Sequence, residues 1–447
     1  MKKRTISVVL TTAMAASLMS GMTVSAADEK VTLSMTWRDE GTGEESALYK
    51  WFSQAYEAYP DKDKIELDYQ YITASEGDYF AKVALALQSA DTAPDIVCED
   101  TFYLPSDVAA GNLTNLDAYV ADWEDWTNGS FYENTKSGVT ADGSVYAVPY
   151  SGDTRGIWYN KDVFAQAGLP EDWNPTSWQD VLDACATVKE NCPDVIPFWC
   201  NAGVVSGEAT TMQTYEEILY GTGEQVYEDG KWVVSSENIL KTLDFINTLF
   251  TEGYATEDLI YDTESSNNVV NNYLPSGEIA MVLNGYWITG NYKETGTAPW
   301  AEYEEKLGFA CMPTSEGQEP SYITMSGGWT LAIPELSDQK DAAWDFIKWC
   351  MSYDQYKNGI LLQGNLSTRA DVGEDADYIE SPFAELATSY MEYAQYRPQN
   401  DQYTTVTTYI QTMVENVASG SLSPEEAMEQ YKTDVINAVG EEACIEK

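Results

Sequence analysis

The chain has 447 residues, of which 24 are Lys or Arg, 73 are Asp or Glu and none is His, so its formal net charge is −49. A single hydrophobic core stops growing at about 250–300 residues, so this length predicts more than one domain. The acidic balance argues against nucleic acid or an anionic membrane surface as a partner, because phosphate groups are bound by clustered Lys and Arg. The absence of histidine excludes Ser–His–Asp and Cys–His catalytic pairs, the HExxH motif and every histidine-based zinc centre.

The first 26 residues are typical of an export signal peptide. Positive charges at positions 2–4 precede an apolar or small segment from Ile6 to Met22, and Val24-Ser25-Ala26 fits cleavage after Ala26. The apolar segment is about 17 residues long, which is short for a membrane span. Cleavage would leave a chain that begins near Ala27 and carries −52, because the signal removes three positive charges and no negative one from −49.

The end of this segment, Leu18-Met19-Ser20-Gly21-Met22, resembles a bacterial lipobox in which Met22 replaces the cysteine that is lipidated. A thioether cannot accept the lipid, so we expect no lipid anchor. No later segment reaches 18 consecutive apolar residues. The sequence therefore predicts an exported, extracytoplasmic protein, either in the cell envelope or secreted.

The chain has seven cysteines, an odd number, and no CxxC motif. Export would permit disulfides, and Cys185, Cys192 and Cys200 are close enough in sequence to pair. Buried free thiols are the alternative.

Strand and helix signals alternate after the signal peptide. The predicted elements are a strand at 31–37, a helix at 46–59, a strand at 65–71, a helix at 80–88 and a strand at 94–98. This order is typical of βαβ units over a parallel sheet. Functional side chains in such sheets lie beyond the carboxyl ends of the strands, where this chain has Trp37-Arg38-Asp39-Glu40 and Glu99-Asp100-Thr101.

Further elements follow along the chain. Asp142-Gly143 predicts a hairpin whose second strand runs to Pro149. Ser177 with Asp180 predicts a capped helix start. Helices are also predicted at 341–353 and at 404–439, the latter interrupted at 420–424.

Several sequence blocks together resemble a known family. They are Tyr146-Ala-Val-Pro-Tyr150, Trp158-Tyr-Asn-Lys-Asp-Val-Phe164 with Ala167-Gly168, Thr176 to Leu182, Ser276-Gly-Glu-Ile-Ala-Met281 through Trp287, and Gly327-Gly328-Trp329 leading into Ala343-Trp-Asp-Phe-Ile347. In this order they are similar to the extracytoplasmic solute-binding proteins of bacterial ABC importers, in the group that includes maltose-binding protein.

The resemblance implies an α/β fold of two discontinuous lobes with a hinge and a ligand cleft between them. Placing the blocks accordingly predicts a first lobe of residues 28–152 and 308–365 and a second lobe of residues 153–307 and 366–447. It also implies a neutral carbohydrate ligand, a membrane permease with a cytosolic ATPase as partner, a monomer, and no cofactor or metal.

Sugars are bound by aromatic platforms and by polar groups that meet the hydroxyls. Trp287 matches a sugar-stacking position of the family, and Trp329 follows two glycines that would let a ligand approach the backbone. Trp37 and Trp199 are further candidates, although a tryptophan is more often part of the core.

Among polar side chains, Asp153 matches an acidic ligand contact of the maltose-binding branch, with a structural residue at the lobe crossing as the alternative. Arg155 is a candidate that an internal salt bridge would explain as readily. The remaining candidates are Asp39, Glu40, Glu99, Asp100 and Glu208. Thr407 stands where the maltose-binding branch has a stacking tryptophan, and Ser367 replaces a common proline, so maltodextrin specificity is in doubt.

Two alternatives stay open. A secreted glycoside hydrolase would use two carboxylates and needs no histidine, although no hydrolase signature is present. A calcium-dependent binding module would favour carboxylate ligands, although the chain has no D-x-[DN]-x-[DN]-G loop.

Overall fold

A computed structural model describes residues 30–39, 41–74, 76–294 and 296–447 of the chain. The predicted export signal, the lipobox-like segment and the candidate residue Glu40 lie outside the described residues.

The strands are β1 Val31–Asp39, β2 Ile65–Thr73, β3 Ile96–Asp100, β4 Thr140–Ala141, β5 Ser144–Val145, β6 Ala147–Pro149, β7 Arg155–Asn160, β8 Ile196–Trp199, β9 Tyr227–Glu228, β10 Lys231–Ser235, β11 Ile279–Gly285, β12 Leu307–Pro313, β13 Tyr322–Met325, β14 Trp329–Ala332, β15 Ala394–Gln395 and β16 Cys444–Glu446.

The α-helices are α1 Ala47–Glu57, α2 Glu76–Ala86, α3 Leu104–Ala109, α4 Asp117–Ala121, α5 Glu124–Thr127, α6 Glu133–Ser137, α7 Lys161–Ala167, α8 Trp178–Asn191, α9 Glu208–Thr210, α10 Glu217–Tyr220, α11 Glu237–Thr251, α12 Ser265–Asn268, α13 Leu274–Ser276, α14 Ile288–Tyr292, α15 Tyr303–Lys306, α16 Lys340–Cys350, α17 Tyr353–Gln363, α18 Ala370–Gly373, α19 Ala376–Ile379, α20 Ala384–Ser389, α21 Tyr403–Ala418 and α22 Pro424–Val439. Two π-helical segments, Thr211–Glu216 and Val269–Tyr273, continue α9 and α12, and 3-10 turns lie at Gly43–Glu45, Val204–Ser206, Glu257–Leu259, Tyr390–Tyr393 and Glu441–Ala443.

Local sequence signals explain several of the helix ends. The Ser177 side chain accepts a hydrogen bond from the backbone N–H of Asp180 and so satisfies one of the free amides at the start of α8. Ser423 and Glu426 form a complete capping box at the start of α22. Gly168 ends α7 in the left-handed region with φ of 84°, a conformation that a residue without Cβ adopts at little cost.

Two sheets form the centres of two lobes. The first sheet has the strand order β2-β1-β3-β14-β6, and the second has the order β15-β13-β12-β7-β11-β8. Strand β1 pairs in parallel with both β2 and β3, which confirms the predicted βαβ arrangement. A small third sheet has the order β16-β10-β9, and β4 pairs with β5 as a hairpin.

The chain passes between the two large sheets three times. It leaves the first sheet after Pro149 and enters the second at Arg155, returns between Met325 and Trp329, and reaches the second sheet again at Ala394. Hydrogen bonds between Gly152 and Leu366 join two of these crossing segments. The segments between the sheets therefore lie side by side.

The strand pairing differs from the predicted lobe boundary at residue 308. Strand β12, Leu307–Pro313, pairs with β7, and β13 pairs with β12, so both belong to the second sheet. All seven residues of β12 are buried, and a continuous apolar strand carries no sign of which sheet it joins. The return to the first sheet occurs after Met325 instead.

All seven cysteines are buried, and none forms a disulfide, which agrees with the free-thiol alternative. Burial raises the pKa of Cys200 to about 12, so its thiol is not a reactive thiolate at neutral pH. Within the described ranges, no helix has both the length and the apolar character of a membrane span.

Candidate functional site

Charged side chains converge where the crossing segments meet. We call Asp100, Asp153, Arg155, Glu208 and Arg397 the interlobe cluster. Asp100 ends β3 in the first sheet, Arg155 begins β7 in the second, and Arg397 follows β15. Four of the five are predicted site residues, and the crossing segment at Gly327 lies against both Asp153 and Arg397.

Arg397 connects the two lobes directly. Its Nη2 donates hydrogen bonds to Asp100 Oδ1 at 2.7 Å and to Thr101 Oγ1 at 3.1 Å, and its Nη1 lies 3.5 Å from Glu208 Oε1. The guanidinium carbon lies 4.8 Å from the ring centroid of Phe102. Only 4% of the Arg397 side chain is exposed, so these ion pairs are largely removed from water and weakly screened.

Glu208 is held by hydroxyl groups as well as by Arg397. Tyr403 donates to its Oε1 at 2.6 Å, and Thr407 donates to its Oε2 at 2.7 Å. Burial raises the pKa of Glu208, while the Arg397 charge and these two hydrogen bonds act in the opposite direction. Thr407, which stands in place of the maltose-binding branch's tryptophan, thus holds a carboxylate.

Asp153 and Arg155 form the second half of the interlobe cluster. Arg155 forms a salt bridge with Asp153 and donates to the carbonyl of Met325 at 2.9 Å. Its guanidinium carbon lies 4.9 Å from the ring centroid of half-buried Trp287. Asp153 also accepts the backbone N–H of Gly327 at 3.1 Å. The Asp153 carboxylate thus has structural contacts with Arg155 and Gly327, and it lies in the same cluster as the other candidate ligand contacts.

The glycines before Trp329 have a different role from the one predicted. A Cβ on Gly327 would lie 2.7 Å from Arg397 Nη2, and one on Gly328 would lie 1.9 Å from the carbonyl oxygen of Ser151. Protein atoms therefore occupy the space that a ligand was expected to use. The glycines allow the crossing segments to pack closely.

Trp329 belongs to a row of stacked rings. It stacks on Phe80 with a centroid distance of 5.8 Å and an interplanar angle of 12°, and Phe80 stacks on Tyr103 at 4.4 Å. Trp329 and Tyr103 are half-buried, whereas Phe80 between them is buried. Such a row presents aromatic surface beside the interlobe cluster.

Four other predicted residues do not join the interlobe cluster. Trp37 is buried among the rings of Phe52, Tyr69 and Tyr71, and Trp199 is buried at the end of β8. Asp39 accepts hydrogen bonds from Gly41 N, Gly43 N and Thr73 Oγ1, so its carboxylate organises the loop after β1.

Glu99 is the fourth of these residues. It is fully buried, and neither of its carboxylate oxygens has a hydrogen-bond partner within the described residues. Because side chains alternate along a strand, Glu99 and its neighbour Asp100 point to opposite faces, and only Asp100 reaches Arg397. Burial raises the pKa of Glu99 well above its usual range.

Sequence reasoning missed Arg397 and two buried carboxyls behind it. The chain has only five arginines, and this scarcity was the available signal for Arg397. Glu216 and Glu217 are fully buried, and none of their four carboxylate oxygens has a hydrogen-bond partner within the described residues. Burial, followed by the charge of Glu208, raises the pKa of Glu216 to about 8.

Among the described residues, no group of three or more His, Cys, Asp or Glu side chains is arranged to hold a metal ion. The carboxylates of the interlobe cluster are instead paired with guanidinium and hydroxyl groups. Hydrogen bonds of this charge-assisted kind are stronger than those between neutral groups.

Comparisons with known proteins agree with this architecture. Residues 39–357 match the sequence model of the bacterial extracellular solute-binding protein family. The lactose-binding protein of Rhizobium radiobacter is 26% identical over 331 residues, which are 71% of each chain. The mannitol-binding protein of Pseudomonas aeruginosa is 26% identical over 266 residues, 57% of this chain and 56% of that protein.

Two solved structures share the fold. A solute-binding protein of an ABC transporter from Thermotoga lettingae, bound to α-D-tagatose, has a TM-score of 0.77 at 24% identity and covers 91% of this chain and 99% of its own. Maltose-bound MalE3 of T. maritima has a TM-score of 0.76 at 24% identity, and the match covers 92% of this chain and 100% of MalE3. The fold is thus the two-lobed α/β fold that the sequence blocks predicted, and the chain belongs to the bacterial extracellular solute-binding protein family.

Proposed function

We propose that this protein captures a saccharide between its two lobes and delivers it to the membrane permease of an ABC importer. The observation that carries the proposal is the interlobe cluster, in which Arg397 links a carboxylate of one lobe to a carboxylate of the other. The relatives that bind lactose and mannitol and the structures that hold tagatose and maltose support a ligand rich in hydroxyl groups.

The side chains around the interlobe cluster suit such a ligand. Trp287 and Trp329 are half-buried, so each ring has a surface on which the C–H face of a sugar could stack. Asp100, Asp153, Arg155, Glu208 and Arg397 supply hydrogen-bond acceptors and donors for hydroxyl groups. We assign these seven residues to the ligand site.

A ligand bound at the interlobe cluster would promote closure of the two lobes. The three crossings between the sheets act as the hinge, with lobes centred on the two sheets. A ligand that contacts both lobes binds the closed form more tightly than the open form and shifts the equilibrium towards closure. The closed, monomeric protein then docks on the permease, whose cytosolic ATPase drives uptake. The function requires a location outside the cytoplasm, which agrees with the export signal that the sequence predicts, and it needs no cofactor.

A thermal-shift screen across monosaccharides, polyols and oligosaccharides tests the function. A cognate compound should raise the melting temperature, because a ligand that binds only the folded state stabilises it. Calorimetry should then show a single site, and the sugar should be recovered unchanged. New reducing ends from an oligosaccharide would instead support the hydrolase alternative and contradict the proposal.

The site assignment is tested by Trp287→Ala and Trp329→Ala. Each should weaken binding of the compound found in the screen by about tenfold, because a stacking surface is lost. Trp300→Ala is the matched control, since Trp300 is half-buried but packs on Tyr292 away from the interlobe cluster. Unchanged affinity in both test variants would show that the site is misplaced.

A further inference from the structure

The ring of Trp287 lies directly on the backbone of strand β11. A Cβ on Gly285 would lie 1.7 Å from Cζ3, 2.1 Å from Cη2 and 2.2 Å from Cε3 of that ring. These three neighbouring ring atoms are almost equally far from the Cβ position, so the position lies over the face of the ring and not beyond its edge. Gly285 therefore covers one face of the indole and leaves the opposite face as the one on which a ligand can stack.

Arg155 contacts the same ring. Gly285 and Arg155 are register partners in the antiparallel pair of β11 and β7, and the side chains of such partners project on the same face of a sheet. The Arg155 guanidinium carbon lies 4.9 Å from the centroid of the Trp287 ring, a distance at which a cation is attracted to an aromatic ring. Arg155 is itself held by its salt bridge with Asp153 and its hydrogen bond to the Met325 carbonyl. A glycine of one strand and a cation of the next thus hold the ring in place.

The backbone at Gly285 is fixed more firmly than the ring that lies on it. The N–H of Gly285 donates to the side chain of Asn284 at 2.8 Å, and the N–H of Tyr286 donates to the carbonyl of Thr154 at 3.0 Å. All seven residues of β11 are buried, whereas Trp287 is half-buried. A side chain at position 285 would therefore displace the indole ring and not the strand.

We propose that Gly285 is a positioning residue of the ligand site, which holds Trp287 where one face of its ring meets the saccharide. This inference rests on the proposed function and adds to its site a residue that does not touch the ligand. A displaced ring would lose its contact with Arg155 and its alignment with the C–H face of the sugar, and the strength of stacking depends on that alignment.

Gly285→Ala tests this role by calorimetry with the saccharide found in the screen. The affinity should fall about tenfold, as for Trp287→Ala, because both variants remove the stacking surface from its position. Wild-type affinity in Gly285→Ala would overturn the proposal.

Gly308→Ala is the matched control. Gly308 lies in β12 of the same sheet, and a Cβ there would lie 1.9 Å from Cζ of the Tyr159 ring. Tyr159 lies near the far end of β7 from Arg155 and stacks on Phe164. Both alanines press a methyl group against an aromatic ring and should lower the melting temperature, but only Gly285→Ala should lower the affinity. An equal loss of affinity in the control would show that overpacking of the sheet weakens binding, and would overturn the proposal.

A double variant that combines Gly285→Ala with Trp287→Ala tests whether Gly285 acts through the ring. It also serves if Gly285→Ala alone fails to fold, since it lacks the ring that the methyl group would meet. Its affinity should equal that of Trp287→Ala, because a residue that acts only through Trp287 has no effect once the ring is absent. A further loss in the double variant, relative to Trp287→Ala, would overturn the proposal.

The failures of the two proposals are distinguishable. If a saccharide binds the wild type and Gly285→Ala equally well, the positioning role is wrong and the saccharide-binding function stands. If no compound of the screen binds the wild type, both are contradicted.

Discussion

Three arginines of the described chain, Arg155, Arg369 and Arg397, are almost completely buried, with 7%, 2% and 4% of their side chains exposed. Each is paired with at least one carboxylate. Arg369 contacts Asp125 and Asp371, whereas Arg397 contacts carboxylates of both lobes. At the scale of single residues, buried arginine–carboxylate pairs therefore have two roles: the pairs of Arg369 stabilise the fold, and those of Arg397 belong to the proposed ligand site.

Arg369→Met and Arg397→Met separate these two roles. Each should lower the free energy of unfolding by about 3–5 kcal/mol, because removing one partner of a buried ion pair leaves the other charge unpaired. Urea unfolding measures this loss, and calorimetry measures the affinity for the saccharide found by screening.

Only the Arg397 variant should lose affinity, since Arg369 is not part of the interlobe cluster. Arg397→Lys, which keeps the charge, provides a better-folded test of the same point. It should also bind more weakly because it cannot reach Asp100, Thr101 and Glu208 at once. Wild-type affinity in both Arg397 variants would remove Arg397 from the site.

At the scale of elements, helix packing depends on close approach at glycine. Helices α1 and α17 pack against each other in the first lobe, and a Cβ on Gly359 of α17 would lie 2.4 Å from the ring of Trp51 of α1. Trp51 is itself 1% exposed and stacks on Phe52 at 4.6 Å, so it has no space into which to move.

Gly359→Ala should therefore destabilise the protein by about 1–3 kcal/mol, because an extra carbon overpacks a tight contact. Gly77→Ala in α2 is the control, since nothing lies within 4 Å of a Cβ there. Alanine in place of a glycine whose backbone and surroundings accept a Cβ should stabilise the protein by about 0.4–1 kcal/mol, because it restricts the unfolded chain. Chemical unfolding that gave both variants the same sign would contradict this account of the α1–α17 contact.

At the scale of the whole molecule, buried acids and net charge act on stability in the same direction. Burial raises the pKa of Glu99, Glu208, Glu216 and Glu217, so the folded chain holds protons that the unfolded chain releases. The formal charge of −49 adds repulsion as more carboxyls ionise.

The free energy of unfolding should therefore fall as the pH rises. For Glu216 the pKa moves from 4.5 to about 8 on folding, so its contribution is complete below pH 4.5 and is lost as the pH approaches 8. Denaturant unfolding at a series of pH values would measure the slope. Glu216→Gln should flatten it between these limits, because a glutamine side chain does not titrate. An unchanged slope in Glu216→Gln would contradict a protonated Glu216.

The sequence by itself predicted helices and strands whose ends are determined by residues adjacent along the chain. Ser177, Pro149 and the interruption at 420–424 mark ends of observed helices or strands. The ordered family blocks predicted the two-lobed fold and brought Asp153 and Glu208 into consideration. Asp100 was a candidate because it follows a predicted strand, and Arg155 because cations are scarce in this chain. Charge and the missing histidine determined which chemistries are absent.

Only the tertiary structure decided which lobe receives β12, which candidates meet, and what they contact. A fully buried apolar strand can join either sheet, so its pairing depends on distant partners. Trp37 lies near the end of β1 and Trp329 begins β14, yet Trp37 is enclosed by core rings and Trp329 is half-buried beside the interlobe cluster. Arg397 lies 297 positions from Asp100. No local pattern records that ion pair, because it exists only where three crossings of the chain bring two lobes together.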